Sequence, residues 1–210
     1  MTIPIETDII FGVPLGSTQI PIEICQQLKH CPSFNQEDNL LFNERPDLYN
    51  VLQYNVKLKS AITDLFTVWI RNLTGNTTQK WIMTTNWVTS NPNGSAMSYH
   101  QHTNCLYSAV LYFDDIEKEH PPLEIINPFS VNMSMGVHAE FNHASPFFSY
   151  KFQCPIHTGL MVMFPSFLTH GHPPFKSKKN RKSFACNFFP VGRYGYADST
   201  LDTNWLQYDD

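Results

Sequence analysis

Apolar positions recur every three or four residues only in the first third of the chain. Between positions 47 and 73 they are Leu48, Val51, Leu52, Val56, Leu58, Ile62, Leu65, Phe66, Trp69 and Ile70. Such spacing places side chains on one helical face, so it predicts one long amphipathic helix or two shorter ones. A short helix is also predicted over 21–29, where Pro21 stands in a first-turn position.

Beyond position 76 the pattern changes to short alternating or wholly apolar runs, which Pro, Gly, Asn and Ser separate. Runs of this kind predict β-strands. The candidates are 81–89, 106–113, 123–126, 130–135, 148–152, 160–164 and 183–189. Closely spaced strands after helices indicate a mainly β jelly roll with the N-terminal helices packed on one sheet.

The whole chain, 1–210, is expected to form a single domain, because its length suits one hydrophobic core and no linker is evident. Within it we expect an N-terminal strand and helices over 1–78, a jelly-roll core over 79–191 and a C-terminal arm over 192–210. With 42% hydrophobic and 15% charged residues, the composition is that of a globular protein.

Charge and cysteine content exclude several classes of function. The net charge of −4 and the pI of about 6.1 leave no broad basic surface, so general nucleic-acid binding is not expected. The five cysteines include no Cys-x-x-Cys pair, which argues against a disulfide framework or a zinc ribbon. Neither a basic leader nor an apolar run of about 18 residues is present, so we expect no membrane segment and a cytoplasmic location.

Three histidines form the first candidate for chemistry. His100 and His102 are two residues apart, and on an extended segment both imidazoles lie on the same side and can share one metal ion. His170, after the apolar run 159–166, would add a third imidazole and leave the opposite coordination positions open. His172 could replace it, although the preceding run favours His170. Imidazole suits iron, zinc, copper and nickel, so the ligand type does not name the metal.

Arg181 begins the last apolar run, and Ser183 follows on the same side. A planar guanidinium suits a carboxylate. An arginine deep in the barrel would anchor the far carboxylate of a dicarboxylate whose 2-oxo acid end chelates the metal, which favours iron. Ser183 would then add a second hydrogen bond. The alternative is that Arg181 pairs with a surface acid.

Taken together, these stretches resemble the phage and bacterial branch of the 2-oxoglutarate/Fe(II)-dependent oxygenases, which are cupin-like double-stranded β-helix proteins. The matching parts within 81–190, about half the chain, are Trp87, 100–104, 108–112, 159–166, His170 and 181–188. The resemblance implies that His100, His102 and His170 hold Fe(II). It also implies that Arg181 and Ser183 bind 2-oxoglutarate, with help from Asn104 and Tyr112.

One position departs from the family pattern. The wider superfamily has His-x-Asp or His-x-Glu, whereas His102 occupies the acid position here. A neutral ligand leaves the Fe(II) site more positive, which favours a dianionic co-substrate but weakens the hold on the metal. In a second registration His102 begins the motif and Asn104 takes the acid position. Imidazole is the better ligand, so we favour the first, with Asp114 and Asp115 as spare carboxylates.

The resemblance implies a dioxygenase that uses 2-oxoglutarate and O2, hydroxylates an unidentified prime substrate, and releases succinate and CO2. It places the enzyme in a bacterial or phage-infected host cytosol and leaves a homodimer open. Two other classes stay open. One is a cupin-like metalloenzyme without 2-oxoglutarate, in which Arg181 binds the substrate's own carboxylate. The other is a non-catalytic jelly-roll binding or structural protein with incidental histidines.

Overall fold

The computed structural model describes residues 12–33, 46–129 and 149–207. The helices of these residues are α1 (Ile22–Leu28) and α2 (Val56–Thr74), and 3-10 turns lie at Pro46–Tyr49, Ala197–Ser199 and Asn204–Gln207. The strands are β1 (Gly16–Gln19), β2 (Lys80–Asn91), β3 (Met97–His100), β4 (Tyr107–Leu111), β5 (Leu123–Ile126), β6 (Lys151–Cys154), β7 (Leu160–Pro165), β8 (His170–His172), β9 (Arg181–Val191), β10 (Arg193–Tyr194) and β11 (Leu201–Asp202).

The strands associate into two antiparallel sheets and a two-stranded ribbon. The larger sheet has the order β1-β7-β4-β9-β2, the smaller sheet has the order β3-β8-β5-β6, and β10 pairs with β11. The inner faces of the two sheets meet in one apolar cluster, which includes Val110 and Val162 from the larger sheet and Leu123 and Ile125 from the smaller. This is the double-stranded β-helix that the sequence predicted.

Capping residues fix both ends of α2. The side-chain oxygen of Asn55 accepts the N–H of Leu58 at 3.2 Å, which satisfies one of the free donors of the first turn. At the other end Gly75 adopts a left-handed φ of 70°, a conformation that glycine reaches without steric cost. The helix therefore begins and ends where its sequence provides caps.

One face of α2 packs on the outer side of the larger sheet. Its buried residues are Leu58, Ile62, Phe66 and Ile70, four residues apart at each step. The ring of Phe66 stacks on Phe188 of β9 with centroids 4.0 Å apart. Helix α1 adds Cys25 and Leu28 to the same core. The prediction that the N-terminal helices cover one sheet is confirmed.

The sequence located most long elements and missed short polar ones. The helix over 21–29 and the strand over 123–126 are confirmed, whereas the periodic region 47–73 contains a 3-10 turn followed by α2. The candidate strand 148–152 is displaced to Lys151–Cys154. The candidate strand 130–135 lies outside the described residues. Strands β3 and β8 were not predicted, because each is too short to show periodicity.

The segment after β9 closes against the end of that strand. The hydroxyl of Thr203 donates to the carbonyl of Pro190 at 3.0 Å and accepts the N–H of Gly192 at 3.1 Å. All five cysteines are free thiols, as expected. Within the described ranges, neither α1 nor α2 is long and apolar enough to cross a bilayer.

Candidate metal centre

Three imidazoles converge between the sheets. His100 on β3 and His170 on β8 are register partners. His102 follows shortly after β3, and its Nε2 lies 3.3 Å from the Nε2 of His170. One ligand nitrogen from each residue lies within 4.8 Å of the other two. This is the convergence that the sequence predicted, and it can hold one metal ion.

Backbone carbonyls orient two of the three rings. The Nδ1 of His100 lies 2.7 Å from the carbonyl oxygen of Ser98, and the Nδ1 of His170 lies 2.8 Å from that of Leu168. Because a carbonyl only accepts, each Nδ1 carries the hydrogen and donates it. Each Nε2 is left with a free lone pair, which is the arrangement that a metal-bound histidine needs.

Burial keeps two of these histidines neutral. Burial, with a smaller contribution from the neighbouring histidines, lowers the pKa of His170 to about 3 and the pKa of His102 to about 4. A metal ion binds only the neutral imidazole, so at neutral pH no proton has to leave these two rings before an ion binds.

The alternative ligands lie elsewhere. Asn104 is exposed and has a left-handed φ of 59°. Asp114 forms ion pairs with Lys29 at 2.9 Å and with Lys182 at 3.2 Å. Asp115 pairs with Lys179 at 2.7 Å. These placements favour the registration in which His102 occupies the acid position.

Arg181 is buried at the start of β9 and lacks a charged partner. Its side chain is 1% exposed, and it donates through Nη2 to the hydroxyl of Tyr112 at 3.1 Å. Its Nε has no hydrogen-bond partner. Among residues 12–33, 46–129 and 149–207, no carboxylate forms an ion pair with it. Since an unpaired buried charge is costly, the site calls for an anion.

Polar side chains from β2 and β8 lie around Arg181, and the sequence did not single out Thr89 and Asn91 of β2. Register pairs Asn91 with Arg181 and Thr89 with Ser183, whose hydroxyls are 2.9 Å apart. The Nδ2 of Asn91 lies 3.0 Å from the Nε2 of His172. Burial and the charge of Arg181 lower the pKa of His172 to about 4. The polar alternation of Thr89 and Asn91 along a buried strand was the available signal.

His172 links this polar group to the three converging imidazoles. It lies two residues after His170 on β8, so both side chains project from the same face about 7 Å apart. Both histidines are buried, at 2% and 1% exposure. The imidazole cluster and the Arg181 pocket therefore occupy one inner face of the barrel.

A buried carboxylate on the smaller sheet ties its strands together. Glu124 is 1% exposed and accepts hydrogen bonds from Lys151 at 2.6 Å, from Gln153 at 2.7 Å and from the hydroxyl of Tyr99. Burial alone would raise the pKa of Glu124, but these donors together lower it below its ordinary value. The hydrogen bond to Glu124 raises the pKa of Tyr99 to about 12.

Tyr99 reaches Glu124 by crossing β8 at Gly171. A Cβ at Gly171 would lie 2.6 Å from the carbonyl oxygen of Met97 and 3.2 Å from the Cα of Tyr99. Only glycine leaves room for this close approach. Because Tyr99 directly precedes His100, the Tyr99–Glu124 contact also holds the edge strand that carries this histidine.

Replacing Glu124 with glutamine is expected to lower the free energy of unfolding by about 1–2 kcal/mol at pH 7, because charge-assisted hydrogen bonds are lost. The loss is no larger because Lys151 is partly exposed, so its ion pair with Glu124 is weakened by solvent. The lowered pKa of Glu124 means that its contribution is complete above the unfolded value of 4.5 and is lost as the pH falls below it. Urea denaturation at pH 7 and pH 3.5 measures this. A stability gap that is equal at both pH values would contradict the assignment.

Comparison with known proteins agrees with this geometry. A family model described as "Putative 2OG-Fe(II) oxygenase" matches residues 85–187. The chain is similar to this oxygenase family over just under half of its length. The matched region contains His100, His102, His170 and Arg181. No curated protein sequence matches the chain.

Two solved structures with TM-scores of 0.50 and 0.51 share the fold of this chain. A prolyl-4-hydroxylase from Pseudomonas putida is 12% identical, covers 83% of this chain and 88% of its own, and has a TM-score of 0.50. HygX from Streptomyces hygroscopicus with nickel and 2-oxoglutarate bound is 11% identical, covers 84% and 81%, and has a TM-score of 0.51. A 2OG-Fe(II) oxygenase family oxidoreductase from Burkholderia pseudomallei is 9% identical with a TM-score of 0.43, and the match covers 58% of this chain and only 50% of that one.

Proposed function

We propose that this chain is a 2-oxoglutarate- and Fe(II)-dependent dioxygenase that uses O2 to hydroxylate an unidentified prime substrate, with release of succinate and CO2. The observation that carries the proposal is Arg181, a buried guanidinium without a carboxylate partner among the described residues, on the same inner face as three converging imidazoles. The anion that such a guanidinium requires is the far carboxylate of 2-oxoglutarate.

His100, His102 and His170 would hold the iron, which supplies the redox chemistry of dioxygen activation when bound. Three imidazole nitrogens on one side of the ion would leave room for the co-substrate and O2 on the other. The donor set fits, because the hydrogen bonds from Nδ1 of His100 and His170 leave both Nε2 lone pairs free. The apolar inner faces of the two sheets exclude water from the reaction.

Tyr112 supports Arg181 in binding the far carboxylate. Its hydroxyl accepts from Arg181, so its own hydrogen remains available to donate to a carboxylate oxygen. Burial raises the pKa of Tyr112 although Arg181 opposes the change, so the hydroxyl stays protonated. Ser183 stands two residues along β9 on the same face and offers a further donor.

Anaerobic titration with Fe(II) and 2-oxoglutarate tests the proposal. The wild-type protein is expected to develop a visible charge-transfer band that requires 2-oxoglutarate, and to form succinate when air is admitted. Arg181→Ala should bind Fe(II) without developing the band. Metal binding without any 2-oxoglutarate-dependent band in the wild type would indicate the cupin-like metalloenzyme instead. Absence of stoichiometric metal binding would indicate the non-catalytic class.

The single-domain organisation, the cytoplasmic location and the homodimer stay predictions. So does a contribution of Asn104 to co-substrate binding, since its side chain is exposed in this structure.

A further inference from the structure

Asn91 lies directly opposite Arg181. The two residues are register partners at the ends of β2 and β9, and each is 1% exposed. Side chains directly opposite each other on antiparallel strands have Cβ atoms about 4.5–5.5 Å apart and share one face of the sheet. The amide of Asn91 therefore lies beside the guanidinium in the same pocket.

His172 determines which end of this amide is presented. The Nδ1 of His172 lies 2.9 Å from the carbonyl oxygen of Pro173, so it carries the hydrogen and donates it. The Nε2 of His172 must then accept, and the atom 3.0 Å away is the Nδ2 of Asn91. One amide hydrogen of Asn91 goes to His172. The second meets no acceptor among the described contacts.

We propose that Asn91 is a further co-substrate-binding residue, whose second amide hydrogen donates to the same far carboxylate that Arg181 anchors. His172 is the positioning residue that holds the amide in this orientation. The inference rests on the proposed function and extends it. It adds a neutral hydrogen-bond donor, the amide of Asn91, next to the charged guanidinium of Arg181.

The chemistry of the pocket favours an amide at position 91. A carboxylate there would pair with Arg181 across the strands and occupy the guanidinium permanently. An apolar residue would leave the Nε2 of His172 without its donor. Asparagine is compatible with a free guanidinium and adds a hydrogen bond for a ligand that brings its own negative charge.

Two ligands separate this role from a general structural one. 2-Oxoglutarate has both the 2-oxo acid end and the far carboxylate, whereas pyruvate has only the 2-oxo acid end. Mutating a residue that contacts the far carboxylate should therefore change the affinity for 2-oxoglutarate and not the affinity for pyruvate. Isothermal titration of the Mn(II)-loaded full-length protein measures both affinities, and the manganese stoichiometry shows that the metal centre is intact.

Asn91→Ala is expected to weaken 2-oxoglutarate binding by about tenfold to a hundredfold, as for the loss of one charge-assisted hydrogen bond. Asn91→Asp, which keeps the shape and adds a charge, should weaken it by more than a hundredfold. His172→Phe should give a smaller loss than Asn91→Asp. Pyruvate affinity should stay within about twofold in all three variants, because pyruvate leaves the Arg181 pocket empty.

Ser90→Ala is the matched control, since Ser90 precedes Asn91 on β2 and accepts a hydrogen bond from the exposed Asn180. It should leave both affinities unchanged. Unaltered 2-oxoglutarate binding in Asn91→Ala and Asn91→Asp, with loss in Arg181→Ala, would overturn this inference and leave the proposed function standing. Equal losses for both ligands would also overturn it. A wild-type protein that binds pyruvate but not 2-oxoglutarate would overturn the proposed function itself.

Discussion

Replacing His170 with alanine is expected to abolish stoichiometric metal binding. It should also reduce succinate formation in the absence of prime substrate by more than about a hundredfold. Mutating residues that only hydrogen-bond to metal ligands already lowers metal affinity or activity by about ten- to a hundredfold. His170 is buried, its Nε2 lies 3.3 Å from that of His102, and it is the register partner of His100, so its loss removes the imidazole that contacts both of the other two. The measurements are metal content after dialysis and succinate yield in air.

Its control is His157→Ala, which removes an exposed histidine and should alter neither quantity. Far-ultraviolet circular dichroism should show that both variants remain folded, because the polar contacts of His170 are with the backbone carbonyl of Leu168 and with His102, and it forms no ion pair among the described residues. A His170→Ala protein with one equivalent of tightly bound iron and undiminished turnover would remove His170 from the ligand set. His172 would then be the next candidate.

The parts of this site that lie on strong sequence patterns could be predicted. The histidines His100 and His102 share a side because they are two residues apart, and the apolar run of β7 placed His170 after a buried strand. Arg181 stood out because a charged residue begins a strand that is mostly apolar from Phe184 onward. The order of these features along the chain then indicated the resemblance to the oxygenase family.

The parts that depend on strand register could not be predicted. Asn91 faces Arg181 only because β2 and β9 pair over eleven positions with one irregularity between Met83 and Thr85. A shift of one residue would turn Asn91 to the opposite face. The contact of Tyr99 with Glu124 likewise depends on β8, a three-residue strand whose glycine lets the tyrosine cross it.

Tyr112 partly stabilises the buried guanidinium of Arg181 when no anion is bound. Tyr112 follows β4, which is the neighbour of β9 in the larger sheet, and its ring lies 4.9 Å from the guanidinium carbon of Arg181. This contact and one hydrogen bond compensate part of the desolvation cost, but the unpaired Nε shows that compensation is incomplete. The fold therefore retains an electrostatic cost at this position that a bound carboxylate would remove.

Replacing Arg181 with methionine is accordingly expected to raise the free energy of unfolding of the ligand-free protein by about 1–4 kcal/mol while it abolishes 2-oxoglutarate binding. Methionine fills a similar volume without a charge to desolvate. In the wild type, 2-oxoglutarate at a hundred times its dissociation constant should add about 2.7 kcal/mol, and in the variant it should add nothing. Denaturant unfolding of the Mn(II)-loaded proteins, with and without 2-oxoglutarate, measures all four values.

Lys182→Met is the control for removing a positive charge from the same strand. Lys182 is partly exposed and pairs with Asp114 at 3.2 Å, so its loss should cost at most about 1 kcal/mol and leave 2-oxoglutarate binding intact. If Arg181→Met were instead less stable than the wild type without ligand, the guanidinium would already be satisfied within the fold. Arg181 would then require no external carboxylate, because a cation stabilised by its own protein has no need of 2-oxoglutarate.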